Sequence, residues 1–183
     1  SHGSNPAGTV NQPGISGRCI SFAGASESVC VRNRLGDFGA GDFTISTWVN
    51  ANATTPQDGT LFLHYSSYSG GQGVVYLAMQ RDTNRPRFDL RDTTGVSYTL
   101  FAPPLALGEW HQVVGVRRQQ QMEIWVDGQL AVSTATPGLG NCTGQSVYGI
   151  DWVRIGGAYT NANHQSLRIA DSEKLNGRLD EMT

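Results

Sequence analysis

The sequence has few charged residues and no long apolar run. Charged side chains make up 15% of its 183 residues, the net charge is -2 and the pI is about 6.0. Proteins that bind nucleic acid usually carry a basic surface, so nucleic acid is not an expected partner. A membrane helix needs about 20 consecutive apolar residues, and the sequence has no such run. We therefore expect neither nucleic-acid binding nor membrane insertion.

Helical periodicity is scarce as well. Glycine is frequent, with 23 residues, and β-branched and aromatic residues cluster in short runs, which predicts an all-β fold. Short strands separated by turn residues indicate a jelly-roll sandwich of two antiparallel sheets, and 183 residues suit one domain. The predicted strands cover about 18–24, 27–33, 42–50, 59–66, 74–80, 85–92, 96–102, 110–118, 122–126, 129–136, 152–157 and 176–183.

The first residues differ from the rest in composition. Residues 1–17 are rich in Gly, Pro, Asn and Ser, and we interpret them as a linker or a loosely packed arm, in which Ser1 to Ser4 are a tag remnant. The domain proper then covers residues 18–183.

The stretch from Glu109 to Gly128 predicts three consecutive antiparallel strands. Apolar and polar residues alternate over 122–126, which is typical of a strand buried on one face. Asp127-Gly128 favours a type I′ turn, because Gly accepts a positive φ and Asp tolerates it. We expect this meander at the centre of the protein, with Trp48, Trp110 and Trp125 packed in the core. His111 fits a half-buried histidine bonded across the sheet better than a ligand contact.

Four segments occur in the order of a known family. They are Ile20–Gly24 with Val29 and Val31, Asp42–Val49, Glu109–Gly128 and Asn176–Glu181. In this order they resemble the laminin-G-like domains of the concanavalin A-like lectin/glucanase superfamily, over roughly residues 18–183. In that family the closing strand continues for several more residues, so the resemblance implies a domain taken from a larger secreted or surface protein.

The resemblance favours recognition over catalysis. Glucanases of this superfamily use paired carboxylates, and the candidates here are Glu123 with Asp127 and Asp180 with Glu181. Neither pair matches the superfamily pattern Glu-x-Asp-x-x-Glu, so we expect no enzyme. We expect a lectin-like extracellular module that binds carbohydrate; the alternatives are a protein-binding cell-adhesion module and, less favoured, a glycan-degrading domain. The partner is then a glycan or an extracellular protein, and the sequence leaves the oligomeric state open.

Calcium is the cofactor that the resemblance implies. Many members bind it through the Asp of the closing strand, which corresponds to Asp180 here. Backbone carbonyls of Gly36–Gly41 are candidates to complete an oxygen shell. Alternatively, neighbouring backbone amides satisfy the Asp180 carboxylate.

Three groups of residues are candidates for ligand binding. Arg87, Asp89 and Arg91 alternate with Phe88 and Leu90 and should share the outward face of a strand, where they either grip an acidic or hydroxylated ligand or form ion pairs. The other two groups place aromatic side chains on loops, where recognition residues concentrate, beside hydroxyl groups in the first and beside amide and imidazole groups in the second. These groups are Tyr65 with Tyr68, and Tyr148, Trp152, Tyr159, Asn161 and His164.

A turn at Gly24-Ala25 predicts a disulfide. A hairpin closed there places Cys19 opposite Cys30, within the Cα separation that a disulfide requires. The alternative is two ordinary small residues on an outer strand. Cys142 then remains a free thiol, or bonds a partner outside this chain.

Overall fold

The structure, a computed structural model, describes residues 9–24, 27–32, 37–54, 58–68, 71–143, 152–157 and 174–183. Within these ranges it contains thirteen β-strands and no helix. The strands are β1 Thr9–Pro13, β2 Arg18–Ala23, β3 Val29–Arg32, β4 Phe43–Ala51, β5 Gly59–Tyr68, β6 Gly71–Gln80, β7 Arg85–Arg91, β8 Ser97–Phe101, β9 His111–Arg118, β10 Gln121–Val126, β11 Gln129–Ala135, β12 Trp152–Ile155 and β13 Asn176–Asp180.

The strands form two antiparallel sheets. The seven-stranded sheet has the order β1-β2-β13-β4-β9-β10-β11, and the six-stranded sheet has the order β3-β12-β5-β6-β7-β8. This arrangement confirms the jelly-roll prediction. Among the described residues, no helix is long and apolar enough to cross a bilayer.

The core lies between the two sheets, because each strand turns alternate side chains inward. In β4, for example, Phe43, Ile45 and Val49 are buried, whereas Thr44 is exposed. In β7, Phe88 and Leu90 are fully buried, as their alternation with charged residues predicts. The largest fully buried side chains are Phe22, Phe88, Leu61, Leu77, Leu90, Met122, Ile124, His64, Val49, Val75, Val113 and Val153.

The predicted meander exists, but it lies at one side of the seven-stranded sheet and not at its centre. β9, β10 and β11 are consecutive, and β11 is the outermost strand. Val126 pairs with Gln129, and the two turn residues Asp127 and Gly128 have φ values of 50° and 77°. These positive values at both positions are those of a type I′ turn, as the sequence predicts.

Two expectations for the start of the chain are wrong. Residues 9–13 are not part of a linker but form β1, which pairs with β2. The hairpin between β2 and β3 does not form, because β2 lies in the seven-stranded sheet and β3 in the six-stranded one. Gly24 still turns the chain, with φ 73°, but its N–H donates to the Leu175 carbonyl. Consequently the predicted disulfide is absent: Cys19 and Cys30 are buried thiols in different sheets.

Hydrogen bonds from the buried side chain of Arg117 hold the loop that follows β11. The buried Arg117 guanidinium donates to the Leu139 carbonyl at 2.9 Å and to the Cys142 sulfur at 3.3 Å. Burial raises the pKa of the Cys142 thiol to about 11, so it stays protonated at neutral pH. Asp92, at the end of β7, accepts a bond from the Gly140 N–H at 2.8 Å. Cys142 is therefore a packing residue with low reactivity.

Candidate functional site

Three tryptophans lie on the outward face of the seven-stranded sheet. The expectation that Trp48, Trp110 and Trp125 pack in the core is wrong: all three are half-buried, and none belongs to the apolar cluster between the sheets. Trp48 and Trp125 alternate with inward residues of β4 and β10, and Trp110 immediately precedes β9. We call this surface the tryptophan face. From strand spacing and rise, the Cα atoms of Trp48 and Trp125 are about 12 Å apart.

Polar side chains fix two of the rings. Glu123, which is 4% exposed, accepts a bond from Trp125 Nε1 at 2.7 Å and one from Arg118 at 2.9 Å. The Arg178 guanidinium lies 5.3 Å from the centre of the Trp110 ring, in a cation–π contact. Both rings are thus held in one orientation before any ligand arrives.

Hydrogen-bonding groups stand between the rings. Gln112 is aligned with Trp48 across β4 and β9, and its side-chain amide lies 3.4 Å from the Ser46 hydroxyl. The Asn50 amide donates to the Gly108 carbonyl at 2.8 Å, which holds the loop that leads to Trp110. Stacking surfaces beside amides and a hydroxyl are the combination that recognises sugar rings and their hydroxyl groups.

We expect Glu123→Ala to loosen the Trp125 ring and to lower the free energy of unfolding by about 1–3 kcal/mol, because a partly buried indole N–H loses its acceptor. Urea unfolding and near-UV circular dichroism measure the two effects. Glu109→Ala, which removes an exposed carboxylate beside Trp110, is the matched control and should change stability by no more than about 0.5 kcal/mol. Equal effects of the two substitutions would contradict this role of Glu123.

The predicted charged stripe lies on the outward face of the six-stranded sheet. Arg87 bonds Asp89 through Nε at 3.1 Å and NH2 at 2.6 Å, and Asp58 through NH1 at 2.5 Å. Its guanidinium also lies over the Tyr76 and Phe101 rings, at 5.7 and 5.8 Å. The alternative hypothesis, that the charged side chains of this strand form ion pairs, is thus confirmed for Arg87 and Asp89. The ligand-binding role of Arg87, Asp89 and Arg91 stays a prediction.

Burial and ion pairing shift the pKa values of Arg87 and Asp89 in opposite directions. Burial raises the pKa of the Asp89 carboxyl although Arg87 beside it favours the charged form. Burial alone would lower the pKa of Arg87, but the carboxylates of Asp89 and Asp58 beside it together outweigh burial and the pKa is raised. Since the donors of Arg87 are largely used within the protein, a ligand would have to compete with two carboxylates for them.

The loop candidates are only partly described. Tyr65 and Tyr68 lie on β5, and Trp152 on β12, where the backbone register aligns Trp152 with Tyr65. Tyr148, Tyr159, Asn161 and His164 lie outside the described residues. Their predicted role in ligand binding stays a prediction.

The Asp180 carboxylate accepts hydrogen bonds from backbone N–H groups. Oδ2 accepts bonds from the N–H groups of Ile15 at 2.8 Å and Ser16 at 3.2 Å, and Oδ1 accepts one from Glu181 at 3.0 Å. Asp180 is aligned with Trp48, five residues along β4 from its first residue Phe43, so about 17 Å of strand separates Asp180 from the end of β4 that follows Gly41. No cluster of three potential metal-ligating side chains occurs in the described part of the chain. These residues fit an amide-capping carboxylate better than a calcium ligand.

The candidate catalytic carboxylates Glu123 and Asp127 form hydrogen bonds with other groups of the protein. Asp127 accepts bonds from the Gln112 N–H at 2.8 Å and contacts His111 Nδ1 at 2.8 Å, so His111 is bonded across the sheet as expected. Glu123 and Asp127 are four residues apart, and their carboxylates have different partners: Arg118 and Trp125 for Glu123, and His111 and Gln112 for Asp127. These contacts favour structural roles for Glu123 and Asp127.

A family of the concanavalin A-like lectin/glucanases superfamily, the laminin G type, matches residues 23–183. The chain belongs to this superfamily. The resemblance seen in the sequence motifs is thereby confirmed. No curated protein sequence matches the chain.

Solved structures share its fold at low sequence identity. Mouse laminin alpha1 domains LG4-5 superpose with a TM-score of 0.69 at 14% identity, covering 98% of this chain and 44% of that one. The binding domain of Paraclostridial Mosquitocidal Protein 1 gives 0.68 at 14%, covering 96% and 41%. Domain 4 of AbnA, a GH43 extracellular arabinanase from Geobacillus stearothermophilus, in complex with arabinotriose, gives 0.66 at 13%, covering 96% and 74%. The chain thus spans about two fifths of the laminin and mosquitocidal chains.

Proposed function

We propose that this chain is a non-catalytic carbohydrate-binding module of a larger extracellular protein and that it binds glycans on the tryptophan face. The observation that carries the proposal is the presence of three half-buried tryptophans on the outward side of one sheet. An indole ring that faces water forgoes the stabilisation of full burial, and a group of such rings on one face is typical of a binding surface.

The fixed orientation of the rings supports the same function. Glu123 and Arg178 hold Trp125 and Trp110 in place, so little side-chain entropy is lost when a sugar stacks on them. The comparison with AbnA domain 4 adds weight, because that domain was solved in complex with arabinotriose. The mosquitocidal structure is named as a binding domain and AbnA as an extracellular arabinanase, in keeping with an extracellular binding module.

Calcium dependence is a separate part of the proposal. Because Asp180 is capped by amides, we place any calcium that contributes to binding away from the Asp180 carboxylate. Glycan binding measured with calcium and then with EDTA tests this dependence, and equal affinities in the two conditions would remove calcium from the function.

Isothermal titration calorimetry with arabinotriose, followed by a glycan array for other sugars, tests the function itself. We expect Trp125→Ala to raise the Kd at least tenfold, about 1.4 kcal/mol, and Trp125→Phe to retain most of the affinity because a stacking ring remains. Arg87→Ala is the matched control on the opposite sheet and should leave the Kd unchanged.

The outcomes distinguish binding on the tryptophan face from binding on the charged stripe of the other sheet. Loss of affinity in Arg87→Ala with full affinity in Trp125→Ala would move the site to the charged stripe and overturn the tryptophan face. An array with no hit, with or without calcium, would overturn carbohydrate binding and favour the protein-binding adhesion module.

A further inference from the structure

Three large aliphatic side chains are strongly exposed in the described part of the chain. They are Ile15, Leu107 and Leu130, which are 44%, 47% and 49% exposed, and we call them the aliphatic rim. None of them belongs to the apolar cluster between the sheets. A single exposed leucine is ordinary on a protein surface, whereas a group of them beside aromatic rings marks an interaction surface. Each of the three lies beside a different ring of the tryptophan face.

Strand register and one hydrogen bond place two of these side chains. Leu130 is aligned with Trp125 across β11 and β10, and aligned residues of neighbouring strands project from the same side of a sheet. The Ile15 N–H donates to the Asp180 carboxylate at 2.8 Å. Asp180 is in turn aligned with Trp48, with about 5 Å between their Cα atoms. Leu130 and Ile15 therefore border the tryptophan face from opposite directions.

The third side chain, Leu107, lies in the loop that leads to Trp110. Val49 of β4 is buried in the core, so the next residue, Asn50, faces outward. The Asn50 amide donates to the Gly108 carbonyl at 2.8 Å. This bond holds Leu107, the neighbour of Gly108 in the chain, on the same side of the sheet as Trp110.

The centre of the tryptophan face is polar. Gln112 is aligned with Trp48 and lies two residues from Trp110 along the chain. Trp125 lies diagonally from it on the neighbouring strand. Among the described residues, the Gln112 side-chain amide makes one hydrogen bond, a long one of 3.4 Å to the Ser46 hydroxyl. Gln112 thus has an acceptor oxygen and N–H donors to offer to a ligand.

A sugar that carries only hydroxyl groups would leave the aliphatic rim without an apolar partner, whereas a purely apolar ligand would leave the Gln112 amide without one. An acetamido group satisfies both, because it combines a methyl group with an amide that donates and accepts. Given the glycan binding proposed above, on which this step rests, we propose that the tryptophan face selects glycans whose sugars carry N-acetyl groups. The acetamido amide bonds Gln112, and the methyl groups contact the aliphatic rim.

Isothermal titration calorimetry with triacetylchitotriose and with cellotriose tests this preference. The two trisaccharides have the same ring, linkage and length, and they differ in the acetamido or hydroxyl group at carbon 2 of each sugar. Burial of one methyl group lowers a Kd about fourfold. Contacts to two or three such groups should therefore make triacetylchitotriose bind at least tenfold more tightly than cellotriose.

Leu130→Ser is the decisive variant, because it removes one side chain of the rim at an exposed position where folding tolerates it. We expect it to raise the Kd of triacetylchitotriose about fourfold and that of cellotriose less than about twofold. Leu130→Met, which keeps an apolar side chain, is the matched control and should bind like the wild type. Gln112→Met, which removes the amide at similar volume, should raise the Kd of triacetylchitotriose about fivefold.

The outcomes separate this preference from glycan binding as such. Equal affinities for the two trisaccharides, both weakened by Trp125→Ala, would overturn the preference and leave the proposed function standing. So would binding of arabinotriose without binding of triacetylchitotriose. A preference that Leu130→Ser leaves unchanged would overturn the role of the rim. A glycan array with no hit would overturn the proposed function and this preference together.

Discussion

Gly156→Ala is expected to lower the free energy of unfolding by about 2–5 kcal/mol, a large part of the 5–15 kcal/mol that stabilises an ordinary domain. Gly156 follows β12 with φ 81°, where a residue with a Cβ is strained by about 1–2 kcal/mol. A Cβ there would also lie within 2.5 Å of Cδ1 and Cζ of Phe22. Phe22 is 1% exposed, so its ring has no free space to move into, and overpacking of this kind costs about 1–3 kcal/mol.

The backbone of Gly156 cannot easily shift to relieve the clash. Its N–H donates to the Thr60 carbonyl at 3.0 Å and its carbonyl accepts from Leu175 at 2.9 Å. Gly138→Ala is the matched control, because Gly138 has φ 77° but no atom within 4 Å of an added Cβ. Urea unfolding should show a loss of about 1 kcal/mol for Gly138→Ala and at least twice that for Gly156→Ala. Equal losses would mean that the Phe22 contact contributes nothing.

The strands were predictable wherever the pattern is local. The Asp127-Gly128 turn needs only two residues of suitable φ, and the alternation in 122–126 identifies its inward face. The pairing of β2 was not predictable in the same way, since Gly24 does turn the chain but β13, more than a hundred and fifty residues later, takes the place beside β2. The choice between a local hairpin and a distant strand depends on tertiary packing, and turn residues alone do not predict tertiary packing.

The outward position of Trp48 and Trp125 was predictable from the sequence. If Met122, Ile124 and Val126 face inward, then Trp125 between them faces outward, and Trp48 follows in the same way from Ile45 and Val49. The alternation of side chains along each strand decides the side on which these rings lie, and it outweighs the general preference of aromatic residues for the core. The partners that orient the rings were not predictable, because Arg178 reaches Trp110 only through the pairing of β13 with β4.

Asp92→Asn is expected to lower the free energy of unfolding by about 3 kcal/mol at neutral pH. Asp92 is fully buried, and its carboxylate accepts bonds from the N–H groups of Thr94 and Val96 at 2.9 Å, the Thr94 hydroxyl at 2.7 Å and the Gly140 N–H at 2.8 Å. Hydrogen bonds to a charged group contribute about 1.5–3 kcal/mol, and an amide in this place offers one acceptor oxygen while its NH₂ faces other donors. The turn after β7 and the loop that follows β11 should both loosen.

The pH dependence distinguishes this mechanism from a simple packing defect. Burial alone would raise the pKa of the Asp92 carboxyl, but the bonds from Gly140, Thr94 and Val96 outweigh it and the pKa is lowered. A folded-state pKa below that of the unfolded chain gives a contribution that is present above pH about 4 and is lost as the pH falls further. The stability gap between the wild type and Asp92→Asn should therefore narrow in acid. Asp82→Asn, which removes an exposed carboxylate, should change stability by less than about 0.5 kcal/mol. A gap that stays constant from neutral pH to pH about 2 would show that the charge of Asp92 contributes nothing and that its shape alone holds the loop.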